Sequence, residues 1–155
     1  MSWIWDDLWV VIADEVGVYL PTYLQFDINF QTFVGDMLEI APGLTLRLTP
    51  GHTPGLCILQ VFISNTMFAL NFQSDDLLQV NMPKSGTWIF TSDQYIVKEN
   101  YEQAAPQGWL ARDFHDWVHS HQLIRALHKS TNGKLVFGHC LETFNSYKVA
   151  PEFYE

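Results

Sequence analysis

The chain has 155 residues, of which 48% are hydrophobic and 15% are aromatic. A chain of this length buries roughly 70% of its unfolded surface, so we expect one folded domain over residues 1–155 and exclude a disordered chain. The formal net charge of −9, from 17 acidic and 8 basic residues, disfavours binding to nucleic acid or to anionic membranes, because their phosphate groups repel an acidic surface.

The N-terminal segment is apolar and aromatic, and its pattern leaves open whether residues 3–20 form a short helix or a strand. The first 15 residues contain four acidic residues and no Lys or Arg, whereas a secretory signal begins with basic residues. No apolar run reaches the roughly 18 residues that span a bilayer. We therefore expect a cytoplasmic location and no contact with membranes.

Apolar residues that alternate with polar ones, or that form short continuous runs, predict the strands of a sheet. Such patterns occur over residues 24–33, 44–48, 56–63, 86–93 and 134–139. A further short strand is expected between the turns at Gly35 and Gly43, because glycine allows the backbone to reverse direction. The last strand leads into a Gly-His turn.

A helix from Asp113 to Ser130 is the clearest helical prediction, and Asn132-Gly133 is typical of a helix end. At about 100° per residue, its apolar face carries two histidines among larger apolar residues. The residues of this face are Phe114, Trp117, Val118, His121, Ile124 and His128, with Leu127 at its edge. We expect His121 and His128 to be hydrogen-bonded core residues. The strands and this helix together indicate a mixed α/β fold.

Two further histidines of this helix, His115 and His119, lie one turn apart, a spacing that can bind zinc. They fall on the polar face, and no Glu lies between them as in H-E-x-x-H. We interpret them as solvated surface residues.

One sequence motif nearly repeats: ILQV at residues 58–61 returns as LLQV at 77–80. The segment between them has no clean period. Either residues 62–78 are an insertion, or four common residues recur by chance.

Three polar residues stand where predicted strands end, namely His52, Asp93 and His139. Each lies beside Gly, Pro or Ser, which let the backbone turn sharply and present a side chain. Two imidazoles and a carboxylate form a ligand set suited to zinc, iron or manganese. Isolated histidines in loops are also commonly solvated, so the residue types alone leave both interpretations open.

Three blocks of the sequence occur in a distinctive order: VGDMLEIAPGLTLRLTPGHTPG, FTSDQYIVKENYE and VFGHCLET followed by APEFY. Together they resemble the metallo-β-lactamase superfamily, and most closely its N-acyl-homoserine-lactone lactonase-like branch. The similarity runs from about residue 24 to the C-terminus. It implies a partial αβ/βα sandwich, mainly its C-terminal half.

The resemblance implies up to two zinc ions and hydrolysis of a small-molecule lactone or ester by a metal-bound hydroxide. His52, Asp93 and His139 match metal ligands of the family, with Asp93 bridging the two ions as the catalytic carboxylate. Related sequences often carry a His or Tyr near the substrate where this chain has Ile96. The aromatic residue one position earlier, Tyr95, is our predicted substrate-binding residue.

The H-x-H-x-D-H motif that supplies the family's other ligands is absent from this sequence, and residues 1–23 contain no histidine. We therefore expect a chain that is truncated on its N-terminal side relative to the family and catalytically impaired. Half of a sandwich leaves sheet surface uncovered, so we also expect a homodimer. The alternative is a non-catalytic domain, a pseudoenzyme with a structural or partner-binding role. A misassembled coding sequence, such as an unspliced intron, would also account for the missing motif and the near-repeat.

The two cysteines, Cys57 and Cys140, do not make a disulfide framework. We expect both to be reduced and at least one to be buried. A rebuilt zinc site with His, Cys and Asp ligands is the alternative, since thiolates bind zinc strongly.

Overall fold

A computed structural model describes residues 33–64, 85–149 and 151–152. The predicted segment 3–20 and the strand 24–33, apart from its last residue, lie outside the described residues. So do the second copy of the near-repeat, residues 77–80, and all but the first three residues of the segment 62–78.

Five strands form one mixed sheet, with neighbours in the order β1 to β5. The strands are β1 (Met37–Ala41), β2 (Leu44–Leu48), β3 (Cys57–Ser64), β4 (Ser85–Phe90) and β5 (Lys134–Val136). The first four strands pair antiparallel, and β5 pairs parallel to β4. A parallel pair needs a long crossover connection, and here that connection contains the main helix.

The described helices are α1 (Lys98–Glu102), α2 (Phe114–Thr131) and α3 (Leu141–Ser146), with single 3₁₀ turns at Ser92–Gln94 and Gly108–Leu110. Asp113 caps α2, because its side chain accepts a hydrogen bond from the backbone N–H of Asp116 at 2.9 Å. Asn132 ends α2 in the left-handed conformation, with φ of 48°. The predicted helix from Asp113 to Ser130 is thus confirmed to within one residue at each end.

Helix α2 packs against one face of the sheet. The core on this face comprises Ile58, Ile89, Tyr95, Trp117, Ile124 and Leu135. Trp117 and Ile124 are seven residues apart and so lie on the same side of the helix. The opposite face of the sheet carries Val61, Ile63 and Trp88, since successive strand residues point to opposite faces.

The prediction that His121 and His128 are hydrogen-bonded core residues is confirmed. His121 is buried, and its Nδ1 lies 2.8 Å from the hydroxyl of Tyr95. His128 is half-buried, and its Nδ1 lies 2.7 Å from the hydroxyl of Tyr101. Phe114 was expected on the apolar face but is 62% exposed, because α2 first meets the core at Trp117, one turn later.

The described residues form a mixed sheet with helices, which confirms the predicted α/β, or mixed α+β, class. Two predicted strands were too long. The segment 86–93 leaves the sheet after Phe90, and 134–139 leaves it after Val136. Within the described part of the chain, no helix combines the length and apolar character needed to cross a membrane.

Candidate metal site

The sheet brings the ends of three strands to one edge. Two antiparallel pairings separate β2 from β4, and β5 is parallel to β4, so all three strands run in the same direction. His52, Asp93 and His139 each follow the C-terminal end of one of these strands by three or four residues. The three residues predicted from the sequence as metal ligands therefore meet at this edge.

Asp93 lies between the two histidines. Its Oδ1 is 3.0 Å from Nε2 of His139, and its Oδ2 is 3.7 Å from Nε2 of His52. Each imidazole thus faces a different oxygen of one carboxylate. The exposed fractions of the side chains are 19% for His52, 40% for Asp93 and 63% for His139, so the group opens to solvent on the His139 side.

The loop that carries His52 is closed by its own backbone. Thr49 donates to the carbonyl of Leu56 at 2.7 Å, and Gly51 donates to the carbonyl of Thr53 at 3.3 Å. The hydroxyl of Ser120, on α2, donates to the carbonyl of Pro50 at 2.7 Å. These contacts explain why turn-forming residues flank His52 on both sides: the loop must double back within a few residues against α2.

The ring of His52 is oriented by a backbone carbonyl. Its Nδ1 lies 2.7 Å from the carbonyl oxygen of Leu110. A carbonyl only accepts hydrogen bonds, so Nδ1 carries the proton. In the neutral ring, Nε2 then presents a lone pair toward Asp93, and this is the nitrogen that can bind a metal.

The backbone of the loop that carries His139 passes close to Asp93. A Cβ on Gly138 would lie 2.8 Å from the carbonyl oxygen of Ser92 and 3.3 Å from Oδ1 of Asp93, so only glycine fits there. Gly138 donates to the carbonyl of Tyr95 at 3.2 Å, and His139 donates to the carbonyl of Ile96 at 2.9 Å. The two loops are therefore joined along their main chains.

The residues of this group fit a metal as part of a larger ligand set. The lone pair of neutral His52 and the Asp93 carboxylate are both acceptors, and a cation between them would relieve their repulsion. Imidazole nitrogen and carboxylate oxygen are ligands of zinc. The two oxygens of Asp93 point to different histidines, so the arrangement suits two ions that share one carboxylate, each with one histidine. Catalytic zinc sites have three protein ligands, so each ion would need more.

Tyr95, the predicted substrate-binding residue, lies in the core. Its side chain is fully buried, and burial raises the pKa of its hydroxyl, which contacts His121. Its ring meets that of Trp117 edge to face, with centroids 6.0 Å apart. This position shows packing beneath the site, and the substrate-binding role of Tyr95 stays a prediction.

A second group of ligand atoms lies at the start of α2. Among the residues that the structure describes, Asp113, His115 and Asp116 have ligand atoms within 4.8 Å of one another. Asp113 already caps the helix, and the positive end of the helix dipole disfavours a cation there. His115 and His119 are exposed, as predicted. We interpret this group as a solvated helix terminus.

Both cysteines are free, and Cys140 is buried, as predicted. Burial raises the pKa of Cys57. At Cys140 burial acts in the same direction, but hydrogen bonds from Thr143 and from backbone N–H groups outweigh it and lower the pKa. The Thr143 hydroxyl lies 3.0 Å from its sulfur. The described contacts of the two sulfur atoms are with the carbonyl oxygen of Gly55 and the hydroxyl of Thr143, and a rebuilt Cys-containing site stays a prediction.

The sequence did not indicate two contacts of the site, those of Leu110 and Gln107. Leu110 acts through its carbonyl oxygen, which every residue has, so its side chain gives no signal. The amide of Gln107 donates to the carbonyl oxygen of Asp93 at 2.5 Å. A glutamine in a loop is ordinarily solvated, and only the fold shows this contact.

Comparison with known proteins gives several partial matches, although no family model matches the sequence. The chain is 31% identical over 112 residues to the N-acyl homoserine lactonase AttM of Azorhizobium caulinodans, a match that covers 72% of this chain and 35% of AttM. It is 29% identical over 141 residues to an N-acyl homoserine lactonase of Bacillus sp, covering 91% of this chain and 48% of that protein.

A solved structure extends the likeness to the fold. It is that of an N-acyl homoserine lactone hydrolase with the product N-hexanoyl-L-homoserine bound at the catalytic metal center. The TM-score is 0.68 at 25% identity, and the match covers 89% of this chain and 46% of that one. The chain is a partial relative of the lactonase-like metallo-β-lactamases. It spans less than half the length of these relatives.

The similarity to these lactonases confirms the resemblance predicted from the sequence. The matched hydrolase binds its product at a catalytic metal center.

Proposed function

We propose that this chain forms part of a zinc-dependent hydrolase centre that acts on a small-molecule lactone or ester. In this proposal His52 and His139 are metal ligands, and Asp93 is the carboxylate shared by two ions. The observation that carries the proposal is that each histidine faces a separate oxygen of Asp93, at 3.7 and 3.0 Å. The lactonases among its relatives support the substrate class.

Zinc would supply Lewis acidity toward the ester carbonyl and would lower the pKa of a water molecule. The residues of this chain orient the metal ligands and offset the charge of the ions. The Leu110 carbonyl keeps the proton of His52 on Nδ1 and so leaves Nε2 free. Asp93 would supply the negative charge that offsets the charge of the ions, as the catalytic carboxylate of this proposal.

We further propose that catalysis by these 155 residues alone is impaired. Each ion would have two protein ligands from this chain, one fewer than catalytic zinc sites use. The missing ligands would come from the part of the related proteins that this chain does not match, or from a second chain. The alternative is a non-catalytic domain with a structural or partner-binding role, and the absence of H-x-H-x-D-H from the sequence favours it.

Metal content separates these functions. We would dialyse the purified chain against metal-free buffer and measure zinc per chain by elemental analysis. About two zinc ions per chain would support the dinuclear centre. A value near zero would show that the chain alone does not hold the centre and would favour the non-catalytic domain. If zinc is retained, release of acid from a panel of lactones and esters would test activity, with Asp93→Asn as the control for contaminating hydrolases.

We also propose a cytoplasmic homodimer. Strand β1 is an edge of the described sheet, and its Met37, Leu38 and Ile40 are 61%, 38% and 53% exposed. An exposed apolar edge strand favours pairing with another copy. Light scattering should give twice the chain mass, and a monomer at all concentrations would contradict the dimer.

A further inference from the structure

The 3₁₀ turn Gly108–Leu110 and the residue before it touch both sides of the candidate site. At one end, the Leu110 carbonyl accepts from Nδ1 of His52 at 2.7 Å. At the other end, Nε2 of Gln107 donates to the main-chain oxygen of Asp93 at 2.5 Å. One short segment therefore contacts two residues that are 41 positions apart in the sequence.

Gln107 also connects the site to the core. Its Oε1 accepts the indole N–H of Trp117 at 3.0 Å. Trp117 is fully buried, and its main chain is packed against Gly51, the residue before His52. A single amide thus links the turn that carries Asp93 to the helix that supports the His52 loop.

The two contacts of Gln107 use both ends of its carboxamide. The Asp93 carbonyl accepts from Gln107, and the indole N–H, which also lies 3.2 Å from the carbonyl oxygen of Gln94, donates to Gln107. Glutamine offers both a donor and an acceptor from one planar group. Glutamate would keep the acceptor and lose the donor, and leucine would lose both.

We propose that residues 107–110 form a clamp that fixes His52 and Asp93 relative to each other before a metal binds, with Gln107 as a positioning residue. The clamp holds His52 in the tautomer whose Nε2 lone pair is free. It also holds the turn of Asp93 so that the carboxylate stays beside the ring of His52. Groups that orient metal ligands typically affect metal affinity by about 10–100-fold. The effect on zinc rests on the proposed function, whereas the tautomer of His52 does not.

Zinc affinity of the full chain, measured by competition with a chromophoric chelator, tests the clamp. We expect Gln107→Leu and Gln107→Glu each to weaken zinc binding by about 10-fold or more. The matched control Gln122→Leu, at an exposed position of α2, should bind zinc as the unaltered chain does. Unchanged affinity in both Gln107 variants would overturn the proposal. So would a loss in Gln107→Leu with full affinity in Gln107→Glu, because only the Trp117 contact would then matter.

The tautomer of His52 in the metal-free chain gives a second readout. In ¹⁵N-histidine NMR spectra at about pH 8.5, where imidazole is neutral, we expect His52 to carry its proton on Nδ1. In Gln107→Leu the Nε2–H form should increase. Protonation of His52 on Nε2 in the unaltered chain would overturn the clamp.

The two readouts separate failure of the clamp from failure of the proposed function. A chain that binds no zinc by itself counts against the proposed function, and the tautomer of His52 then decides the clamp. A chain that binds zinc with unchanged affinity in the Gln107 variants contradicts the clamp alone. If Gln107→Leu does not fold, as judged by circular dichroism, Gln107→Glu decides, since it keeps an acceptor for the buried indole.

Discussion

Gly51 lies directly against the main chain of Trp117. A Cβ at position 51 would be 2.5 Å from Cα of Trp117 and 2.6 Å from its nitrogen. The φ angle of Gly51 is +132°, which residues with side chains rarely adopt. Asp113 also donates to the carbonyl of Gly51 at 3.0 Å. The loop that presents His52 is thus seated on the first turn of α2 through a contact that only glycine allows.

Gly51→Ala should therefore destabilise the fold by more than about 3 kcal/mol, because the new methyl group meets backbone atoms that cannot move aside. Urea unfolding measures the change. Gly35→Ala is the matched control: its φ is +117°, but no atom lies within 4 Å of the added Cβ. It should cost about 1 kcal/mol from backbone strain alone. Equal losses in the two variants would show that the contact with Trp117 is unimportant.

The indole N–H of Trp117 is the subject of a second prediction. It lies 3.2 Å from the carbonyl oxygen of Gln94 and 3.0 Å from Oε1 of Gln107. Trp117→Phe leaves both acceptors without this donor and should lower the free energy of unfolding by about 1–3 kcal/mol. Trp109→Phe, at a side chain that is 76% exposed, should change it by less than about 0.5 kcal/mol. A loss of the same size at both positions would contradict a specific role for the indole N–H.

Local signals in the sequence drew attention to the candidate site, and the resemblance to the metallo-β-lactamases assigned its residues as ligands. His52, Asp93 and His139 each follow an apolar run and lie beside turn residues. Such residues collect at one edge when their strands run in the same direction, as β2, β4 and β5 do. The ends of α2 could also be predicted from local signals, since Asp113 caps its first turn and Asn132 ends it in the left-handed conformation.

Other features depended on contacts that the sequence does not encode locally. The partner of His52 is a main-chain oxygen 58 residues away. Tyr95 lies two residues after Asp93. The sequence pattern does not indicate that the side chain of Tyr95 points into the core while that of Asp93 points out. Strand β4 was predicted to run to residue 93, whereas it ends at Phe90. Thr91, the first residue of the following turn, favours strands as strongly as an apolar residue does.

A third prediction concerns stability against pH. Burial of His121, with a smaller contribution from the charge of Arg125, lowers the pKa of its imidazole below the ordinary value of 6.5. Its Nε2 is buried without a hydrogen-bond partner in the described part of the chain. The unfolded chain therefore takes up a proton at a higher pH than the folded one. This stabilisation is fully present above pH 6.5 and is lost as the pH falls below it toward the lower pKa of the folded state.

The free energy of unfolding, measured between about pH 8 and pH 5, tests this effect. It should fall more steeply with acid in the unaltered chain than in His121→Gln. His119→Gln removes an exposed histidine from the same helix and should leave the slope unchanged. Identical slopes in all three proteins would contradict an unfavourable protonation of His121.

The shared carboxylate gives the last prediction. Because each histidine faces its own oxygen of Asp93, His52→Ala and His139→Ala should each lower the zinc content of the chain by about one ion, and Asp93→Ala should lower it by about two. A single ion held by all three residues would instead be lost in every variant. Asp116→Ala is the control, since Asp116 belongs to the other group of ligand atoms, at the start of α2. Loss of zinc in Asp116→Ala alone would place the ion at that helix terminus and contradict the proposed site.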